Sequence, residues 1–481
     1  MTAVAGPVPG VRRTPLPHER GMGASILVAA ISSAFGILLI ATTGFIGAWL
    51  LSDPYLAGGE TVTAVVAILS TLLIAVAMYV AAVVTTNTFA TVVAGRTRQI
   101  ALVRLIGASA RSERRRVARQ GLVVGIIGAV IGLIGGTTAA ALLLEGAQIA
   151  WSIDVDYLVV QPALLAPPVI VALTTWASAW VGSRRVLDVS PLEAISGAVE
   201  RNTREAASGR ARRITAATLF VGGTLVLAAG VAVGLFSPLG VVIAFLGGIL
   251  SFTGLILGAT MIMPLVLRAT GRLFGRSAEA RLAAQNALRY PERSSRTAIG
   301  VVIGVTLVTM FAVASQSARE LLIRSGGGEP PQQLLALMDT FAAIMTALVA
   351  VSAVIAAVGL INLLTLGVIQ RRRELGLLRT LGFSKPQIRR MVLLEAVHLI
   401  VTSVTLGLLL GVLYGWGGAQ ALLGSIGVPP TFTSPTFVAP AVPWLTVAFV
   451  VASTAILTAA ATVAPTRLAT AAMPMQALAD D

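Results

Sequence analysis

Residues 24–51 run for 28 positions without a charged side chain, and residues 61–93 and 341–367 do so for 33 and 27 positions. A fourth run, Met391–Leu413, carries only Glu395 and His398 as titratable groups. About 20 apolar residues in a helix span the hydrocarbon core of a bilayer. There, each backbone N–H and C=O must be satisfied within the protein. The runs therefore dictate an all-α polytopic membrane protein, since barrel strands would alternate apolar and polar side chains. Composition agrees: charged residues make up 11% of the chain, against about a quarter in soluble domains.

The net charge of +15 belongs to the segments between the runs. Eight arginines fall in 96–119, seven in 184–213, seven in 268–296, and seven basic residues in 371–390. The intervening loops hold Asp53, Glu60, Glu145, Asp154 and Asp156. This alternation is the positive-inside pattern. It explains the charge without nucleic acid and predicts ten spans, near 24–50, 62–93, 119–146, 160–183, 214–236, 239–267, 297–317, 338–368, 390–415 and 442–464. Both termini are then cytoplasmic, and the first run is read as retained and not as a signal peptide. Cysteine is absent, which excludes disulfides, thiolate zinc sites and a cysteine nucleophile. With His18 and His398 the only histidines, a multi-histidine metal site is not expected. No Ser/His/Asp set, carboxylate pair or aromatic nucleic-acid platform emerges.

The chain repeats itself. A shift of 275 residues lays QRRRELGLLRTLG (370–382) over GRTRQIALVRLIG (95–107). Arg98 meets Arg373, Leu102 meets Leu377, Arg104 meets Arg379, Gly107 meets Gly382, Gly132 meets Gly407 and Gly136 meets Gly411, while Gln99 stands opposite Glu374. The copies end alike, SRRVLDVSPLEAI at 183–195 and TRLATAAMPMQAL at 466–478, by which point the shift is 283. The organisation expected is a cytoplasmic segment (1–23), a four-helix unit (24–197), a linker (198–213), a central helix pair (214–267), a connector (268–296) and a second four-helix unit (297–481). Units that begin and end on one side are parallel repeats about an axis along the membrane normal.

Each repeated loop reads as a short amphipathic helix leaving the membrane. Leu377 and Leu381, and Leu375 and Leu378, are neighbours on its surface. Gly382 stops it, Ser384 and Gln387 form a capping box for the next helix, and Pro386 is tolerated in that first turn. Two uses remain open: anchoring to anionic headgroups, or a shaped contact with another protein, which the repetition of Arg, Leu and Gly at matched positions favours.

At these residues the sequence resembles FtsX-like permeases, the membrane subunits of MacB/LolC-type ABC transporters. RRRELGLLRTLGFSKPQIRRMVLLEA (371–396) is similar to their signature, ARLAAQNALRYPERSSRTA (280–298) to the strip before a second core unit, and SPLEAI and MPMQAL to the usual end of each unit. The resemblance implies a type VII ABC arrangement. Arg98–Gly107 and Arg373–Gly382 would be ATPase-coupling elbows, and two elbows on one chain imply two ATPase copies per chain. The chain's only lysine, Lys385, stands between Ser384 and Pro386 and in no Walker A loop. No cofactor is therefore expected on this chain, and ATP-Mg is expected on the partner. The connections at 51–61 and 317–335 are too short for the large extracytoplasmic domain of MacB- and LolC-like members. A lipid-like or amphipathic peptide substrate, met within or beside the membrane and exported or extracted, is then expected. The alternatives are a signalling scaffold for a cell-wall hydrolase and an ion-coupled secondary transporter.

Two further features stand out. Glu395 lies inside a predicted span with His398 three residues on. Intramembrane carboxylates are functional candidates, but the reading favoured for Glu395 is a structural pairing with Arg389, Arg390 or a neighbouring helix. Gly132 and Gly136, like Gly407 and Gly411, have the small-residue spacing that lets helices approach closely in lipid. They read as packing seams, a place for the two units to slide or meet.

Overall fold

A computed structural model describes residues 22–52, parts of 67–87, and 109–151, 155–183, 203–272, 277–289, 291–325, 377–425, 427 and 435–471. Among the described residues the regular structure is helical, with no strand. The helices are α1 (Met22–Ser52), α2 (Ala110–Trp151), α3 (Ala166–Gly182), α4 (Thr203–Gly234), α5 (Gly240–Leu257), α6 (Ala259–Gly271), α7 (Ala278–Arg289), α8 (Pro291–Ser325), α9 (Lys385–Leu423) and α10 (Trp444–Ala471). Of these, α1, α2, α3 with the turn before it, α4, α5, α8 and α9 are long and apolar enough to cross a membrane. The shorter apolar helices are Ile74–Asn87, α6 and Trp444–Ile456. The chain is a multi-pass α-helical membrane protein. The span expected at 338–368 lies outside the described residues.

Several boundaries differ from the sequence expectation for identifiable reasons. The span expected at 239–267 is two helices, α5 and α6, separated at Gly258. Pro264 sits inside α6, and a proline ring cannot bond the carbonyl four residues back. The chain turns at Gly258 (φ −87°, ψ 4°), whose carbonyl accepts from Met261 N–H (2.8 Å) and Ile262 N–H (3.1 Å). The expected linker 198–213 is helical from Thr203, as α4 continues past its apolar run. Residues 317–325 of the expected loop are the last turns of α8. The connector 268–296 contains the whole of α7.

Two helices exceed what a bilayer needs. With 42 residues in α2 and 39 in α9, a rise of 1.5 Å per residue makes each about 60 Å long, twice the ~30 Å hydrocarbon core. The sequence sustains them because no proline interrupts either interior and glycine falls where a neighbour presses close. In α2, Gly125 faces Ala172 and Thr175 of α3, while Gly128, Gly132 and Gly136 face α1.

The central pair, α4 and α5, packs through a stripe of small residues. Gly240, Ala244, Gly247 and Ser251 of α5 meet Gly223, Gly230 and Gly234 of α4, and Gly254 meets Phe220 and Ala216, so that backbone touches backbone. Lipid tails are as apolar as leucine, so such helices associate by close packing and polar contacts. Ser251 supplies the polar part: its hydroxyl lies 3.1 Å from the Thr224 hydroxyl and 2.9 Å from the Tyr414 hydroxyl of α9. Gly234 against Ala421 seats the pair on α9.

Candidate functional site: a rigid elbow below a long helix

The elbow of the second half is described from Leu377 onward; Arg98, Leu102, Arg104, Gly107, Arg373 and Glu374 lie outside the described residues. Leu377–Thr380 form a helical turn. It closes with Phe383 N–H donating to the Leu378 carbonyl (3.0 Å) and Gly382 N–H to the Arg379 carbonyl (3.1 Å). This pair of bonds is the Schellman arrangement. It requires a residue in the left-handed region, supplied by Gly382 at φ 98°. Two residues later α9 begins. Ser384 N–H donates to Gln387 Oε1 (2.9 Å), with Pro386 in the first turn. The turn and α9 are thus joined by the four residues Leu381–Ser384, a connection that is hydrogen-bonded on both sides.

The three described leucines and the phenylalanine divide by face. Leu378 and Phe383 tuck inward against Leu282 and Ala283 of α7 and against Ile388, Met391 and Val392 of α9. Leu377 and Leu381 point outward, 52% and 72% exposed. Arg379 between them is half-buried. From the other side, Glu279 at the start of α7 reaches the elbow. A hydrogen bond from its own backbone N–H holds its carboxyl below the ordinary range; burial opposes this, and the Ser277 hydroxyl, Arg390 and the Gln387 side chain add to it. Gln387 therefore engages both Ser384 and α7.

The glycine seams lie within each half. A Cβ on Gly136 would stand 2.8 Å from Ala34 Cα and 3.2 Å from Ile37 Cβ of α1; one on Gly132 would meet the Ala30 carbonyl and Ser33. A Cβ on Gly407 would stand 2.8 Å from Val305 Cβ and 3.2 Å from the Val302 carbonyl of α8; one on Gly411 would stand 2.9 Å from the Thr306 carbonyl. Gly132 and Gly136 face carbonyls 30 and 34, whereas Gly407 and Gly411 face 302 and 306, an offset of 272. The two helix pairs therefore share one register, in which α1 and α8 correspond at 272 where α2 and α9 correspond at 275. The seams join α1 to α2 and α8 to α9; they are not where one half slides on the other.

This duplicated geometry has a counterpart among known proteins. A family model, the FtsX-like permease C-terminal domain, matches residues 71–189 and 346–472, together just over half of the chain. The chain belongs to the FtsX-like permease family. No curated protein matches it. The two matched regions contain α2 with α3 and α9 with α10, and the second contains the elbow. As an FtsX-like permease the chain has an ABC permease-type role, in a family whose members generally work with ABC ATPases.

His398 and Glu395 sit higher on α9 of this permease, both buried, at 1% and 7% exposed. His398 Nε2 lies 3.0 Å from the Leu267 carbonyl, which can only accept, so this nitrogen carries the proton. It also lies 3.2 Å from the Thr270 hydroxyl, which meets the Thr402 hydroxyl at 2.7 Å. Gly271 leaves room for the imidazole, whose Cε1 would stand 3.3 Å from a Cβ there. His398 thus ties α9 to the end of α6. Sequence reasoning missed Thr270, Thr402, Phe383 and α7. The staple of Leu378 with Phe383 across Gly382 was readable as a Schellman pattern, as was the alanine face 280, 283 and 287 of α7. The Thr270–Thr402 contact joins residues 132 positions apart, and no local pattern encodes it.

Proposed function

We propose that this permease is the membrane subunit of an ABC transporter whose two cytoplasmic elbows each receive one copy of a separate ATPase. The two repeats, 24–197 and 297–481, are the transporting units. The central pair 214–267 joins them, and 1–23, 198–213 and 268–296 lie on the cytoplasmic side with both termini. ATP-Mg is bound and hydrolysed by the partner. The observation that carries this reading is the pair of exposed leucines, Leu377 and Leu381, on a turn locked to α9. Burying a leucine against a partner stabilises by roughly 1.5–3 kcal/mol, and Arg379 beside them adds charge complementarity to an acidic cleft rim. A rigid link matters mechanically. Because the connection through Gly382 and Phe383 is bonded at both ends, displacement of the elbow tilts the ~60 Å helix as one body. The glycine seam of α9 presses α8 against it, so α8 is carried along with that tilt.

The substrate this arrangement suits is a lipid-like or amphipathic peptide molecule met in the bilayer, since no large domain interrupts 51–61 or 317–335 in sequence. The test is copurification of the ATPase with Leu381→Asp and with Arg379→Glu. Loss of association by about tenfold or more, with the permease still folded, supports the reading; unchanged association with both refutes it. Glu395→Gln separates the ion-coupled alternative, which requires loss of transport there and indifference to both elbow variants. Recovery of a cell-wall hydrolase in place of transport favours the signalling alternative.

A further inference from the structure

The hairpin of α2 and α3 ends, on the elbow side, in an arginine that has no counterion among the described residues. Arg111, Arg114, Arg115, Arg116 and Arg119 crowd the first three turns of α2. Arg116 is paired with Glu113 at 3.8 Å. Arg114 instead lies flat on an aromatic ring, its guanidinium carbon 3.8 Å from the centroid of Trp180. Trp180 in turn stacks on Trp176, centroids 6.4 Å apart with 26° between the planes. Stacking uses the face of a guanidinium and leaves its N–H edge available. That edge is unmet: Arg114 Nε is buried and has no hydrogen-bond partner, and among the described residues no carboxylate pairs with Arg114. A desolvated donor on a fixed cation, left without an acceptor, is a cost that folded proteins rarely carry.

The position says what the acceptor is. The apolar stretch of α2 begins at Gly121 and α3 ends at Gly182, so Arg114 and the two tryptophans stand at the level where lipid headgroups begin. Tryptophan favours that level. Below it, Trp176, Leu173 and Val169 continue along the same stripe of α3 as exposed apolar side chains, a track for an acyl chain. We infer that Arg114, backed by Trp180 and Trp176, holds the phosphodiester of an anionic phospholipid from the leaflet on the elbow side. Arg111 and Arg115 are exposed beside it. They attract a net negative headgroup and disfavour the ammonium of a zwitterionic one. Glu113, the nearby adverse charge, is occupied by Arg116. The second half lacks this site in its sequence: the position matching Arg114 is Arg389, but the position matching Trp180 at the 283-residue shift is Val463. The Arg–Trp stack is therefore not repeated at the matching positions of the second half.

The experiment is native mass spectrometry of the full, delipidated chain in mild detergent, titrated with phosphatidylglycerol or phosphatidylcholine. Wild type is expected to bind phosphatidylglycerol in preference to phosphatidylcholine, and Arg114→Gln to bind it about tenfold more weakly. Equal phosphatidylglycerol binding by wild type and Arg114→Gln overturns the site. Inorganic phosphate is titrated in parallel; if it displaces the lipid at equal concentration, the ligand is a free anion and the headgroup assignment falls. Should Arg114→Gln fail to fold, Arg114→Lys keeps the charge but loses the planar fork. It is expected to bind about threefold more weakly, and full wild-type binding by it overturns the site.

Discussion

Gly382 is the residue on which the elbow's shape depends. Its φ of 98° lies where a Cβ collides with the following carbonyl, at about 1–2 kcal/mol per residue. Nothing lies within 4 Å of the place a Cβ would occupy, so the cost of Gly382→Ala is backbone strain alone. We expect Gly382→Ala to lose about 1 kcal/mol in chemical denaturation, Gly382→Asn to lose less because asparagine tolerates this region, and both to weaken ATPase stimulation more than stability. Glu279 acts at the same place through charge. Its carboxyl is held below the ordinary value of 4.5, so ionised Glu279 favours the docked α7. That contribution is complete above pH 4.5 and disappears as pH falls through the lowered value in the folded protein. Glu279→Gln should therefore show reduced hydrogen-exchange protection of α7 at neutral pH. The difference from wild type should vanish in acid; a difference that persists there contradicts this role.

At the scale of elements, the seams decide which helices move together. Gly411 presses on the Thr306 carbonyl and Thr309, and backbone cannot step aside as a flexible side chain does. Gly411→Val is expected to cost roughly 1–3 kcal/mol by overpacking, read in thermal unfolding of the reconstituted chain. Gly300 lies on α8 with open space around its Cα. Gly300→Ala should be neutral or stabilise by up to about 1 kcal/mol, since glycine is the poorer helix former. The break at Gly258 separates α5, whose small residues lock it to α4, from α6, which His398 ties to α9. The central pair and the long helix of the second half are thereby mechanically joined. In the first half the position matching His398 is Val123 and that matching Thr402 is Ile127, so the join is one-sided.

For the whole molecule, the duplicated register of α1 with α2 and α8 with α9 makes the chain a pseudo-dimer on its own. A single copy should then bind a pair of ATPases, and native mass spectrometry of the purified complex is expected to give one permease chain to two ATPase chains. Two permease chains per ATPase pair would contradict it. The asymmetry is carried by two parts outside the repeat, the central pair seated on α9 and α7 under the second elbow, and by the Arg114–Trp180 stack within the first unit.

Much of this was written in local pattern. The apolar runs dictate membrane helices because hydrocarbon leaves backbone groups no other partner. The glycine, serine and glutamine at 382, 384 and 387 specify the turn because their effect is confined to neighbouring residues. Even the seams announce themselves by their four-residue spacing, though not the helix each one faces. What only the tertiary structure decided are the choices between equal local options. Leu377 and Leu381 are the outward leucines because α7 covers Leu378. The expected span 239–267 is divided because α6 docks on His398 while α5 follows α4. Arg114 lies on Trp180, 66 residues away, because the α2–α3 hairpin brings them together. Such contacts depend on how helices are placed against one another, and periodicity along a single helix holds no record of that.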